Sequence, residues 1–246
     1  MKRETRWATR VNEIYHQQNK KIDANFKDSR TRGALRVATN ITKQRKKAVI
    51  AGKKMEVGLE RLLTVGLISD PKCKAGSMKI SNQFNLLSGI GGNSRKSKVE
   101  NVDILIARNN RVEFIELKSW EGKDDPVAAA EEIVGYFISF ILARKAGAYG
   151  NLLEPANWQK FQLTVLAPKK YYENHQEHFP TKCLKTHETK LNEALKNKKS
   201  LLLEVKQVEF CFRSFDMDQE IFREHFKDLY TIQNYARKQF NSWTAL

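Results

Sequence analysis

The chain predicts an α/β fold in which a mixed sheet is flanked by helices. Three observations carry this expectation. Segments of helical and of strand-like pattern alternate from the middle of the chain to its end. The central strand-like runs, VDILIA and VEFIELK, are apolar on both alternating faces, as befits interior strands covered on each side. Those two runs are separated by Arg108-Asn109-Asn110-Arg111, and Asn tolerates the positive φ that a two-residue hairpin turn needs.

In chain order, residues 1–33 are polar and read as irregular, with Gly33 as punctuation. From Ala34 to Leu67 the pattern is helical. ITKQRKKAVIAGKK is strongly basic, and in MEVGLERLLTVGL the residues Met55, Leu59, Leu62 and Leu63 share one stripe. Gly52, Gly58 and Gly66 are candidate breaks into two helices. SMKISNQFNLL reads as a strand, SGIGGNSRKSK as a loop, and VDILIARNNRVEFIELK as a hairpin. Asp124 or Asp125 caps a helix that begins at Pro126, a favoured first-turn position for Pro, and that stops near Gly147. FQLTVLAP is a strand, LKTHETKLNEALKNKK a helix, LLLEVKQVEFCF a strand, and DQEIFREHFKDLYTIQNYARKQF a closing helix. The domain expectation is a basic N-terminal extension, residues 1–54, helical in part, followed by an α/β domain over residues 55–246.

The hairpin poses a chemical question. With Asn109 and Asn110 at the turn, Arg108 faces Arg111, Ala107 faces Val112, Leu105 faces Phe114, and Asp103 faces Glu116. Period-two alternation puts Lys118 on the same face. Opposed like charges repel, and in a sheet that is apolar on both faces they are costly unless something offsets them. A divalent cation would do so, and all-oxygen coordination suits Mg²⁺, which keeps waters and takes substrate phosphate oxygens.

An Asp at the start of one strand followed by Glu-x-Lys on the next resembles the signature of the PD-(D/E)xK, or restriction-endonuclease-like, nuclease superfamily. Here it is Asp103, then Glu116-Leu117-Lys118, with Val102 where the name-giving Pro would stand. The resemblance implies an αβββαβ core over roughly Met55 to Pro168, with a mixed central sheet flanked by helices and the basic segment as an extension. It implies Asp103 and Glu116 as metal ligands, the Leu117 carbonyl as a further ligand, and Lys118 as the group that orients or activates the attacking water. In many members a Glu in the first helix points to the metal; Gly58-Leu59-Glu60 is similar, which makes Glu60 a third carboxylate, with Glu56 as its rival and a solvent-facing helix Glu as the alternative. The RecB-like branch carries Gln-x-x-x-Tyr after the Lys. This chain has Glu132-x-x-x-Tyr136, with Tyr136 read as core. The implied activity is Mg²⁺-dependent hydrolysis of phosphodiester bonds, with Mn²⁺ able to substitute, acting as an endonuclease on nucleic acid, DNA in preference to RNA. A homodimer is compatible with it. The alternative is a non-catalytic, basic nucleic-acid-binding protein on the same fold.

Charge points to the same partner. The formal net charge is +16, and residues 1–54 hold 16 Lys or Arg against 4 Asp or Glu, a net of +12, so the excess is concentrated at one end. A localised excess of this size is the electrostatic footprint of a polyanion binder. Arg45, Lys46, Lys47, Lys53 and Lys54, with Arg95, Lys96 and Lys98 of the glycine-rich loop, are the expected phosphate contacts. That loop lacks the spacing of a Walker phosphate loop. His175, His178, Cys183 and His187 have ligand types and spacing that fit a zinc knuckle poorly, and Cys73, Cys183 and Cys211 are scattered, which implies no disulfide framework. No uninterrupted apolar run approaches the ~20 residues of a membrane span, and the start, MKRETRWATR, has no apolar signal region. The expected location is cytoplasmic, away from membrane.

Overall fold

The structure is a computed structural model. It describes residues 6–27, 55–68, 78–86, 100–147, 157–198, 205–220, 222 and 244–246. The elements are α1 (Trp7–Lys27), α2 (Met55–Ile68), β1 (Lys79–Asn85), β2 (Asn101–Arg108), β3 (Arg111–Leu117), α3 (Pro126–Lys145), β4 (Lys160–Pro168), α4 (Lys169–Asn174), α5 (Thr181–Asn197), β5 (Gln207–Phe215) and β6 (Thr244–Ala245).

Five strands and the two-residue β6 form one mixed sheet whose spatial order, β1-β2-β3-β4-β5-β6, is also the chain order. The first three strands are antiparallel neighbours, β3, β4 and β5 run parallel, and β6 closes the edge antiparallel to β5. Parallel neighbours need long crossovers. The helix α3 makes the first crossover, and α4 with α5 make the second.

The sheet is covered on both faces, which explains why its inner strands are apolar at nearly every position. On one face Leu105, Val112, Phe114, Phe161, Leu163 and Val165 share a core with Ile133, Phe137, Phe140 and Ile141 of α3. Phe114 sits at its centre, with ring centroids 5.5 Å from Phe140 and 5.9 Å from Phe161. On the other face Ile104, Ile106, Ile115, Leu117, Leu166 and Phe215 meet Leu59, Leu62, Leu63 and Leu67 of α2. The helix α2 is continuous through Gly58 and Gly66, because its buried leucines hold it against the sheet. Near the turn the second face is polar: Glu113 accepts hydrogen bonds from Thr164 Oγ1 at 2.6 Å and from Arg213 at 3.2 Å. Asn109 has φ 54°, the left-handed conformation expected of the hairpin turn.

Asp125, not Asp124, caps α3: its Oδ1 accepts from Ala128 N–H at 2.8 Å, with Pro126 in the first turn. Among the described residues α3 is the one helix long and apolar enough to cross a membrane, but most of it is buried in the core. The irregular reading of residues 1–33 is corrected over Trp7–Lys27, which is helix α1. Trp7, Val11, Ile14 and Ile22 bury one stripe in the core that α3 shares with the sheet. The stripe is narrow and most of the remaining helix is polar or charged, so the average composition hides it. Arg10 ties α1 to Glu131 of α3 at 2.7 Å, and Trp7 Nε1–H donates to His187 Nδ1 of α5 at 3.1 Å. The expected helix over residues 34–54, the loop over 88–98, Cys73 and nearly all of the closing helix lie outside the described residues.

Candidate active site

The hairpin has the predicted register. Arg108 pairs with Arg111, Ala107 with Val112, Leu105 with Phe114 and Ile104 with Ile115. The ladder stops there, so Asp103 and Glu116 are the next residues outward in that register. Beyond this point β3 continues against β4, where Glu116 pairs with Val165, Leu117 with Leu166, and Lys118 N–H donates to Leu166 O at 3.0 Å. On the β2 side a carboxylate stands in for backbone pairing: Leu117 N–H donates to Asp103 Oδ2 at 2.9 Å. The site forms where β3 outruns its partner.

Lys118 is its centre. The residue is 4% exposed, and Glu116 is 3% exposed. The ammonium lies 2.8 Å from Glu116 Oε1, 3.0 Å from Glu132 Oε2 and 3.6 Å from Asp124 Oδ2. Glu132 reaches in from α3, and its other oxygen accepts from Tyr136 OH at 2.7 Å. The four-residue spacing puts Glu132 and Tyr136 on one face of that helix. Tyr136 thus packs partly against the core, as its sequence context suggests, and also orients a carboxylate.

Electrostatics follow from this crowding. Burial, then the neighbouring Asp103, pushes the Glu116 carboxyl well above its ordinary range against the pull of Lys118. Burial disfavours the charged form of Lys118, but Glu116 and Glu132 more than offset it and raise its pKa. Burial also opposes ionisation of Glu132, yet Lys118 and the Tyr136 hydrogen bond bring its pKa below the usual value. Tyr136 is pushed up by burial and the two nearby glutamates, so it stays a donor. Glu116 Oε2 is buried and receives no hydrogen bond among the described residues. A buried carboxylate oxygen without a donor is costly.

The segment after Lys118 is held by α4 and by the chain beyond β5. Trp120 Nε1–H donates to Met217 O at 2.7 Å, Asn174 Nδ2 to Trp120 O at 3.1 Å, and Tyr171 OH to Asp124 O at 2.7 Å. At Gly122 a Cβ would lie 3.0 Å from Tyr171 Cε2 and 3.2 Å from Ser119 O, a close approach that only glycine allows without a shift. His175 contacts Gly122 O at 3.3 Å, and His187 accepts from Trp7.

The structure therefore brings Asp103, Glu116, Leu117 and Lys118 together. Glu60 is buried on α2, whose leucines cover the opposite face, and the Glu56 side chain is outside the described residues. Among the described residues no three His, Cys, Asp or Glu side chains are grouped so as to hold a metal ion. Arg45, Lys46, Lys47, Lys53, Lys54, Arg95, Lys96 and Lys98 all lie outside the described residues. Sequence reasoning missed Asp124 and Glu132 as partners of Lys118. The available signals were the acidic pair Asp124-Asp125 before Pro126 and the Glu132-x-x-x-Tyr136 spacing, neither of which says which side chain it meets. Searches against protein-family models, curated proteins and solved structures find no match to this chain.

Proposed function

We propose that this chain is a metal-dependent nuclease of the restriction-endonuclease-like kind, an endonuclease that hydrolyses phosphodiester bonds in nucleic acid, DNA in preference to RNA. The observation that carries the reading is the Asp103–Glu116 pair at the point where pairing with β2 ends, with Lys118 beside it and Glu116 Oε2 left without a donor. The helix, strand, hairpin, helix, strand order from α2 to β4 is consistent with it.

The residues fit a hard cation. Three carboxylates, Glu116, Glu132 and Asp124, lie within 3.6 Å of one ammonium, and Asp103 adds a fourth acid beside Glu116, so a cation there would favour the charged form of Glu116 that burial and Asp103 oppose. The donor set is all oxygen, as Mg²⁺ prefers, and the orphaned Glu116 oxygen is a ready ligand. Asp103 and Glu116, with the Leu117 carbonyl, would hold Mg²⁺ or Mn²⁺, which supplies polarisation of the scissile phosphate and an acidified water. Lys118 steadies negative charge that develops on the phosphate and orients the attacking water. Glu116 and Glu132 outweigh the effect of burial and keep it charged for that task. The basic segment before α2 supplies the attraction for a polyanion.

One observation favours the second reading, a nucleic-acid-binding protein without catalysis. Lys118 lies within 3.6 Å of three carboxylates, so it already serves as an internal counterion. The deciding experiment is incubation of purified protein with labelled duplex and single-stranded DNA and RNA, with and without Mg²⁺. Metal-dependent product on any of the four supports the nuclease. Binding without product, under Mg²⁺ and under Mn²⁺, supports the alternative.

A further inference from the structure

We propose that Glu132 is a positioning residue, oriented by Tyr136, that keeps the Lys118 ammonium at the site when Glu116 engages a cation. The proposal rests on the nuclease reading above. Its basis is a conflict built into the geometry: Lys118 holds Glu116 Oε1 at 2.8 Å, and a cation on the Asp103–Glu116 pair draws on that same carboxylate. Two positive groups sharing one carboxylate repel, and a long flexible lysine is the one free to leave.

A second carboxylate prevents this. Glu132 Oε2 lies 3.0 Å from Lys118 Nζ, on the side of the ammonium supplied by α3 rather than by β3. Its other oxygen is occupied by Tyr136 OH at 2.7 Å, which fixes the rotamer and aims Oε2 at the lysine. Asp124 is a weaker substitute, 3.6 Å away with a side chain 68% exposed. A Gln at position 132 would keep much of the hydrogen-bonding shape and lose the charge, so it isolates the contribution of the charge.

The test is a double-mutant cycle on Mn²⁺ affinity, read by the EPR signal of free Mn²⁺, for the unmutated chain, Glu132→Gln, Lys118→Ala and the double variant. Cleavage is measured alongside. Glu132→Gln is expected to weaken Mn²⁺ binding about tenfold when Lys118 is present and less than about threefold when it is Ala, a coupling of ordinary size for contacting residues. It should also lower kcat about tenfold or more with KM nearly unchanged, and Glu132→Asp should recover part of the loss. An equal or larger loss of Mn²⁺ affinity in the Lys118→Ala background makes Glu132 a metal ligand and overturns the proposal, as does no effect in either background. The coupling without any cleavage by the unmutated chain leaves the positioning role standing and removes the nuclease reading. Cleavage without the coupling does the reverse, and no Mn²⁺ binding at all removes both.

Discussion

Asp103 Oδ2 accepts a hydrogen bond from Leu117 N–H across the hairpin, just beyond the last paired rung at Ile104 and Ile115. One carboxylate therefore has two tasks, stitching the strand ends and facing Glu116. These tasks separate by substitution. Asp103→Asn keeps an acceptor for Leu117 and should change Tm little, yet lose measurable Mn²⁺ binding and lower cleavage ~10²-fold or more. Asp103→Ala loses both tasks and should cost a further ~1 kcal/mol of stability in denaturant titration. Unaltered cleavage by Asp103→Asn would take the acid pair out of the chemistry.

Lys118→Ala distinguishes a counterion from a catalytic group. Removing the ammonium leaves the buried Glu116 without its counterion, and breaking such a buried pair typically costs ~3–5 kcal/mol. In the nuclease a divalent cation replaces that charge. Thermal melts of the variant should then recover toward the unmutated value when Mg²⁺ is added, while cleavage stays reduced ~10²-fold or more. Melts indifferent to Mg²⁺ would favour the structural reading.

The hydrogen bond between Trp7 and His187 makes the docking of α1 sensitive to acid. His187 Nδ1 accepts the indole hydrogen, so the ring is neutral there, and burial, then Lys190, holds its pKa below the ordinary value. The unfolded chain takes up the proton more readily, from about pH 6.5 downward. The stabilising contribution is thus full above about pH 6.5 and is lost as the pH falls through the lower folded value. Proteolytic susceptibility of α1 should rise on acidification through this window, and His187→Gln should flatten the profile. A pH profile identical in the two proteins would show that this hydrogen bond carries no such linkage.

The basic residues ahead of α2 call for substitution rather than truncation. Deleting residues 1–54 would also remove Trp7, Val11, Ile14 and Ile22 from the core, and weakened binding would then report unfolding. Replacing Arg45, Lys46, Lys47, Lys53 and Lys54 by Gln leaves that stripe intact. The slope of log affinity against log salt should fall by about 0.7–0.9 for each phosphate that these side chains no longer neutralise. An unchanged slope would assign this charge to some other purpose, such as solubility.

The legible parts of this molecule were those set by local chemistry. Two asparagines between alternating strands specify the turn, and the turn specifies every partner up to Ile104 and Ile115. Asp-Pro before an apolar run specifies where α3 begins. The helix α1 was present in the spacing of Trp7, Val11, Ile14 and Ile22, but most of its other residues are polar or charged, and only tertiary packing makes the stripe matter. At the site, Asp103, Glu116 and Lys118 share a strand face, which alternation predicts. The partnership of Lys118 with Glu132 depends on how α3 rotates against the sheet. That rotation is set by how rings such as Phe114 and Phe140 pack together, which no local pattern spells out.

The long reach of α1 also has a consequence for synthesis. Trp7 and His187 are 180 residues apart, and a ribosome adding ~5–20 residues per second needs roughly 10–35 s to cover that distance. Until α3 is made, the apolar stripe of α1 lacks both of the helices it rests on, and until α5 is made it has only one of them. Until those partners exist, the stripe is offset only by the polar and charged residues elsewhere on α1, among them Arg10, Glu13, Lys20 and Lys21.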